Sequence, residues 1–368
     1  MKVVHVFRSM GAGGAEVLVM NLFRELSPRV QFDFILHSDE QGIFDEEITR
    51  LGGRIYRVPE PKRNLQAFEQ AVGNVLQNNG PYAAIHSHPY YFSGIILKIA
   101  RRYRVPCRIA HSHNTQDGVG DSYARRLYRW YMRRQILKHA THLLGCSREA
   151  CSKLFGSEVW RDSRIVVFRN ALNADRFLAE HDVERIRNEL GTGSGTTVVH
   201  IGRFTAQKNH RRVVDIFHAY LSIEPEARLM LVGDGPLMEE TAAYVRSKGL
   251  ASQVRFLGIR EDIPDILAAG DLFLFPSLFE GLGNVIIEAQ LAGVPCLVSD
   301  GVPSEADLGI GTVRYLPLTA DDTRWARAMA DMRSVAAPDR EQRYAALKNT
   351  GYDIRDAALL LERIYAAD

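Results

Sequence analysis

The sequence holds few cysteines: Cys107, Cys146, Cys151 and Cys296 are the only four in 368 residues, and no two form a C-x-x-C pair. This excludes a disulfide scaffold and the common zinc frames, and it fits reduced, mostly buried thiols in a cytoplasmic protein. No apolar run reaches the roughly 18 residues of a membrane-spanning helix. The opening MKVVHVFRSM is too short in apolar residues for a signal peptide and reads as a first strand. No D-x-D pair stands at a strand end, so neither a metal nor another cofactor is expected.

What is present points to a larger globular chain. The length exceeds one ordinary domain and suggests two. Hydrophobic residues make up 46% and charged residues 24%, ordinary values for a globular protein with a core large enough to fold without staples. The net charge of +2 hides an asymmetry: residues 1–175 hold 25 Lys and Arg against 16 Asp and Glu, and residues 176–368 hold 21 against 28. Two halves of opposite sign suggest different partners, or mutual attraction across a cleft. The basic excess concentrates in 98–138.

Short β-rich runs alternate with helical stretches through both halves. Lys2–Phe7, Phe32–His37, Arg54–Val58, Ala83–His86, Cys107–His111, His142–Cys146 and Arg164–Phe168 read as strands of the first half. After the Gly/Ser/Thr stretch 191–197 the pattern restarts, with strands at Val198–Ile201, Arg228–Val232, Val254–Leu257, Leu272–Phe275 and Pro295–Val298. Strands separated by helices give right-handed βαβ units and parallel sheets. The expected architecture is α/β: two doubly wound Rossmann-like domains, 1–175 and 176–352, facing a cleft, with a C-terminal helix over 353–368 able to pack back on the N-terminal domain or on the other. Ligands in such folds bind beyond the carboxyl ends of the strands.

Four stretches carry candidate chemistry. Phe275–Pro295 contains a buried strand, a loop with Glu280, Gly281, Leu282 and Gly283, and a helix starting near Asn284 with Glu288 behind it. Free amides at a helix start favour an anion, and two carboxylates can accept hydrogen bonds from sugar hydroxyls. Taken singly, either glutamate is also explained by the helix dipole. Val199–His210 places Gly202 and Arg203 after a strand and Lys208 five residues on. The two cations can neutralise a diphosphate leaving group, although two cations near a turn are often only a solvated face. Gly233 and Gly235 form a glycine turn closed by Pro236, and Leu257 and Gly258 end another strand where backbone groups can meet a base. Gly13, Gly14 and Glu16 follow the first strand and imitate a dinucleotide fingerprint, but Glu16 stands where its third glycine belongs.

Together these pieces resemble the family 4 retaining glycosyltransferases of GT-B fold, particularly those building bacterial exopolysaccharide or capsule. The resemblance runs nearly the whole chain: GGAE at 13–16, the histidines at 111–113, GR-x4-KN at 202–209, GDGP at 233–236, FLG at 256–258 and EGLGNVIIEA at 280–289. It implies that Arg203 and Lys208 bind the donor diphosphate, Glu280 the donor sugar and Glu288 the ribose. Gly13, Gly14, Gly202, Gly233, Gly235, Leu257, Gly258 and Gly281–Asn284 belong to the donor site on the same ground. It further implies metal-independent transfer with retention, from a UDP-linked nucleotide sugar to a glycan or lipid-linked acceptor. Many members carry Phe at the position of Leu282.

Other readings stay open. His86 and His88, with His111 and His113, form two H-x-H pairs that would be a metal site if they converged. Otherwise His111 or His113 is catalytic, and Glu16, His88 and Asn114 contact the acceptor, or the histidines are purely structural. The basic, aromatic segment 123–138 either packs Leu127, Tyr131 and Ile136 inward or touches an anionic membrane from the cytoplasmic side. Nucleic acid is not an expected partner, since no recognition motif accompanies the charge. A sugar-nucleotide epimerase or hydrolase, a nicotinamide oxidoreductase and an inactive sugar-nucleotide binder are the competing functions.

Overall fold

The structure is a computed structural model that describes residues 1–11, 13–114 and 120–366. Ala367 and Asp368, the end of the expected terminal helix, lie outside the described residues. The chain divides into two compact units, Met1–Leu172 with Gly351–Asp368, and Asn173–Thr350.

The first unit has seven parallel strands: β1 (Lys2–Phe7), β2 (Gln31–Leu36), β3 (Ile55–Arg57), β4 (Ala84–Ser87), β5 (Cys107–Ser112), β6 (His142–Gly145) and β7 (Ile165–Val167). Their order is β3-β2-β1-β4-β5-β6-β7. Helices cover both faces, so the central strands are buried almost throughout and read as continuous apolar runs. One face packs Val3, Phe7, Ala84 and Ile109 against Leu18, Leu22 and Phe23 of the helix Gly14–Glu25 and Leu361 and Tyr365 of the helix Ile354–Ala366. The other packs Val4, Val6, Ile85 and Ala110 against Phe68, Ile96, Leu97, Met132 and Ile136. Each buried Val, Leu, Ile, Phe or Met among them contributes about 1.5–3 kcal/mol through burial. The terminal helix is tied down by a short parallel bridge between Leu172 and Asp353.

The second unit has six parallel strands: β8 (Thr197–Ile201), β9 (Arg228–Val232), β10 (Val254–Gly258), β11 (Leu272–Phe275), β12 (Cys296–Ser299) and β13 (Val313–Leu316), in the order β10-β9-β8-β11-β12-β13. Strand β13 and the helices Arg148–Phe155, Val183–Leu190, His210–Tyr220, Asp322–Arg333 and Arg340–Asn349 were not expected from the sequence. In each sheet the order reverses once, between β1 and β4 and between β8 and β11. Crevices open at such switch points, and both are occupied by residues singled out above.

Candidate active site

At the switch point of the second sheet, the loops after β8 and β11 are laced together. The Leu278 amide donates to the Gln207 carbonyl at 2.8 Å, and Asn209 Nδ2 donates to the Pro276 carbonyl at 3.1 Å. Asn209 sits at φ +54°, the left-handed turn that brings its side chain to that carbonyl. The lacing sets the side chains. Lys208 Nζ donates to Glu280 Oε1 at 2.7 Å, and Gln207 Nε2 donates to Oε2 at 3.2 Å. The Lys208 ammonium also lies 4.6 Å from the centre of the Phe275 ring. Its stem runs over Gly202, where an added Cβ would press on Lys208 Cγ and Cδ at 3.0 Å. Arg203 is exposed, and its guanidinium is unpaired among the described residues.

The neighbouring turns hold this arrangement close. Gly233, at φ +131°, lets its backbone touch the Gly202 carbonyl, where a side chain would overlap. Gly235, at φ +155°, does the same against Phe204. The Phe204 amide donates to the Asp234 carbonyl at 2.9 Å. In β10, Phe256 pairs with Leu231 and Gly258 with Val232, so Leu257 is the extra residue of a bulge. The Gly258 carbonyl accepts from the Gly233 amide at 2.8 Å.

The helix Asn284–Ala292 starts after Gly283, at φ +86°, with no side-chain cap. Its first amides are therefore available to an anion. Asn284 Oδ1 is buried without a partner. One turn on, Glu288 is only partly accessible, and desolvation pushes its carboxyl up to about 7 against a smaller opposing pull from Arg176. Gly202, Arg203, Lys208, Gly233, Gly235, Glu280–Asn284 and Glu288 thus stand on adjoining turns of one unit, with Leu257 and Gly258 on the next strand out. Gln207 was missed, although it lies inside the 202–209 motif.

The first unit gathers histidines at its own switch point. Alternate residues of β1, β4 and β5 face the same side. His5, His86 and His111 therefore meet over one face, with His88 and His113 just beyond the strand ends. His113 Nε2 lies 2.8 Å from His88 Nδ1, and His88 Nε2 lies 3.0 Å from His5 Nδ1. His86 Nε2 is 3.1 Å from His111 Nδ1, and His86 Nδ1 is 2.8 Å from the hydroxyl of Tyr365. The Phe7 ring stacks on His88 at 4.0 Å. His88 keeps no free ring nitrogen, so it supports His113 instead of offering an atom to an acceptor. His5 and Tyr365 were not foreseen; Tyr365 carries no local signal of a partner 279 residues away. The H-x-H pairs do converge, and His88, His111 and His113 offer ring nitrogens within 4.8 Å of one another. Gly13 caps the helix Gly14–Glu25, and the Glu16 carboxylate folds back over it, raised by desolvation. Asn114 is exposed.

The helix Tyr123–His139 corrects one expectation. Met132, Ile136 and His139 turn inward, while Leu127 and Tyr131 are 55% and 45% exposed, next to Tyr123 and Trp130 on the outer side.

Comparison with known proteins now decides the family. Residues 13–171 match the glycosyl transferase 4-like domain and residues 195–333 the glycosyl transferases group 1 family. The Bacillus subtilis (strain 168) protein EpsF, whose name assigns it to the glycosyltransferases, is 34% identical over 99% of this chain and 96% of its own length. The chain is a member of this glycosyltransferase family. An Escherichia coli protein named UDP-Gal:alpha-D-GlcNAc-diphosphoundecaprenol alpha-1,3-galactosyltransferase is 28% identical over 82% of this chain and 79% of its own. Anabaena HepE, solved in complex with UDP, superposes with a TM-score of 0.82 at 19% identity over the full length of both chains. The glycosyltransferase therefore has the GT-B fold. Among its described residues no helix is long and apolar enough to cross a membrane.

Proposed function

We propose that this glycosyltransferase moves a hexose or related sugar from a uridine-diphosphate sugar to a glycan or lipid-linked glycan, with retention at the anomeric carbon, in the assembly of a surface polysaccharide. The observation that carries the reading is the Lys208–Glu280 pair, a cation for the leaving diphosphate and a carboxylate for sugar hydroxyls, joined at 2.7 Å on adjoining loops. Arg203 supplies a second charge to the diphosphate, and the open helix start at Asn284 a third source of positive potential. With these in place the transfer requires no divalent metal. The name of the E. coli relative and the UDP bound to HepE support the nucleotide, and the diphosphoundecaprenol in that name supports a lipid-linked acceptor.

Both Glu280 oxygens are already engaged, by Lys208 and Gln207. A carboxylate so neutralised is a weak nucleophile, which favours front-face attack over a covalent glycosyl-enzyme. The acceptor hydroxyl oxygen bonds to the anomeric carbon as the bond to the phosphate oxygen breaks. The hydroxyl proton passes to that departing phosphate oxygen, whose charge Arg203 and Lys208 stabilise. Glu288, one turn into the helix, takes the ribose hydroxyls.

The outer side of the helix Tyr123–His139, with Tyr123, Leu127, Trp130 and Tyr131 beside Arg126 and Arg134, suits the interface of an anionic membrane that presents a lipid-linked acceptor. The test of the whole reading is a thermal-shift screen of nucleotide sugars. A ligand at 100 times its Kd adds about 2.7 kcal/mol to stability. A uridine-diphosphate sugar should raise the melting temperature, and a flat response to every nucleotide sugar would refute the proposal.

A further inference from the structure

The imidazoles at the switch point of the first sheet form two overlapping triads. His5, His86 and His88 make one, and His88, His111 and His113 the other; in each, one nitrogen per ring lies within 4.8 Å of the others. The first triad is saturated. Every ring nitrogen in it already meets a neighbouring ring or the Tyr365 hydroxyl, at 2.8–3.5 Å. The second is not. His111 Nε2 and His113 Nδ1 are buried with no hydrogen-bond partner among the described residues.

A buried polar atom left unpaired costs about 1–3 kcal/mol. Here two such atoms sit on rings whose centres are 4.0 Å apart, so one occupant serves both. Imidazole nitrogens suit Zn²⁺ and its neighbours, and three of them with an open fourth position are a known Zn²⁺ ligand set. Ligating rings are held in place through their second nitrogen. Both rings have that support: His111 Nδ1 meets His86 Nε2 at 3.1 Å, and His113 Nε2 meets His88 Nδ1 at 2.8 Å. His88 supplies the third bond by giving up one of its two links, a loss of about 1 kcal/mol that a metal–nitrogen bond exceeds. Zn–N bonds of about 2.0–2.1 Å set ligand atoms about 3.4 Å apart, so nitrogens within 4.8 Å of one another close by at most about 1.4 Å. His113 is partly exposed while His5 and His86 are 0% and 1% exposed, which gives the second triad the entry path.

We propose that His88, His111 and His113 bind a transition-metal ion of the Zn²⁺ class, and that the ion inhibits the enzyme by filling the crevice of the first sheet. The ion is an occupant and not a cofactor. Neither triad contains a carboxylate, so Mg²⁺ and Ca²⁺, which take oxygen ligands, are excluded. The same lack leaves the charge of Zn²⁺ unbalanced, so it binds reversibly and more weakly than a structural zinc. Inhibition follows because ligands of such folds bind at the switch point, and the ion takes the ring nitrogens there. The inhibition rests on the transfer reading above; the binding does not.

The experiment titrates the full chain, without a histidine tag and without substrate, with Zn²⁺, Co²⁺ and Mg²⁺ in a calorimeter. Zn²⁺ should bind one to one, Mg²⁺ should not bind, and Co²⁺ should show the intense visible absorption of a four-coordinate site. His88→Gln and His111→Gln should each weaken Zn²⁺ by more than the roughly 10–100-fold that loss of a supporting group costs. Melting curves of both variants without metal check that they fold. His181→Gln, in the second unit, should leave the affinity unchanged. In a transfer assay, Zn²⁺ should inhibit over the range that fills the site, and EDTA should restore the rate. Three results overturn the proposal: no saturable Zn²⁺ binding, an affinity unchanged in both triad variants, or full turnover with the site filled. The titration is read without nucleotide sugar, so its failure leaves the transfer reading standing, and a flat nucleotide-sugar screen leaves the metal site.

Discussion

Lys208 and Glu280 form a salt bridge whose side chains are 17% and 6% exposed, between two loops that come from β8 and β11. A pair so sheltered is coupled: removing one partner leaves the other charge in place without its match. Lys208→Ala should lower turnover by roughly two to three orders of magnitude, the range for losing one stabiliser of transition-state charge. Glu280→Gln should lower the rate far more than nucleotide affinity, since the carboxylate is proposed to hold the sugar. The double variant should cost much less than the two single losses combined, because both disable one unit. Steady-state kinetics on the four proteins of this cycle gives the answer, and strict additivity would mean that the pair does not act together.

Arg203 makes no such bond, so its contribution is expected mainly in donor binding. Arg203→Ala should weaken UDP affinity and slow turnover by roughly two orders of magnitude, with stability unchanged. Since the cations are side chains, activity should also survive excess EDTA. Loss in EDTA with recovery on adding Mg²⁺ or Mn²⁺ would move the chemistry to a metal.

Much of this was legible in the sequence because the parallel sheets advertise themselves. Strands buried on both sides, such as β1 and β11, are continuous apolar runs, and the loops after them carry glycines that only a close approach or a turn requires. The helix His210–Tyr220 was also legible, with Val213, Val214, Ile216, Phe217 and Tyr220 buried at helical spacing, but it begins directly after the basic end of the 202–209 motif and was passed over. Arg340–Asn349 offered almost nothing to read, since it buries only Leu347, and the edge strand β13 is mostly half-exposed. In the helix Tyr123–His139 the error was the assumption that apolar residues point inward; the inner stripe is Met132, Ile136 and His139. The Gln207–Glu280 bond and the chain through Tyr365 join residues 73 and 279 positions apart, which no local pattern encodes.

Glu288 makes the donor site sensitive to pH. Its carboxyl lies at about 7 in the folded protein against an ordinary value of 4.5, so the folded state binds more protons in that interval. Its contribution to stability is therefore full below about 4.5 and lost as the pH rises through 7. Ribose hydroxyls donating to the carboxylate favour its charged form and lower its pKa. UDP binding at pH 7 should release up to about half a proton, seen by calorimetry in two buffers of different ionisation enthalpy. Glu288→Gln should abolish the release, and proton uptake by the wild type would contradict the ribose contact.

The exposed aromatic side of the helix Tyr123–His139 should bind anionic vesicles, less tightly as salt is added, since the attraction is screened within about a Debye length. Arg125 lies over the Tyr128 ring, Arg129 pairs with Asp121 and Arg134 lies over the Trp130 ring, so the informative changes are Arg126→Glu and, separately, Trp130→Ala. Both variants should reduce co-sedimentation with vesicles while leaving transfer to a soluble acceptor analogue intact. Wild-type protein that ignores anionic vesicles at low salt would point to a soluble acceptor.

The central claim, transfer from a nucleotide sugar by front-face attack, is tested most directly by the anomeric configuration of the first product, read by proton NMR from the coupling at the new linkage. An inverting enzyme needs a base opposite the leaving group, and a double displacement needs a free carboxylate beneath the anomeric carbon. Glu280 is instead bound by Lys208 and Gln207 on the donor loops. The account predicts the same anomeric configuration in product and donor, with no glycosyl-enzyme trapped in Glu280→Gln. The opposite configuration in the product would contradict it.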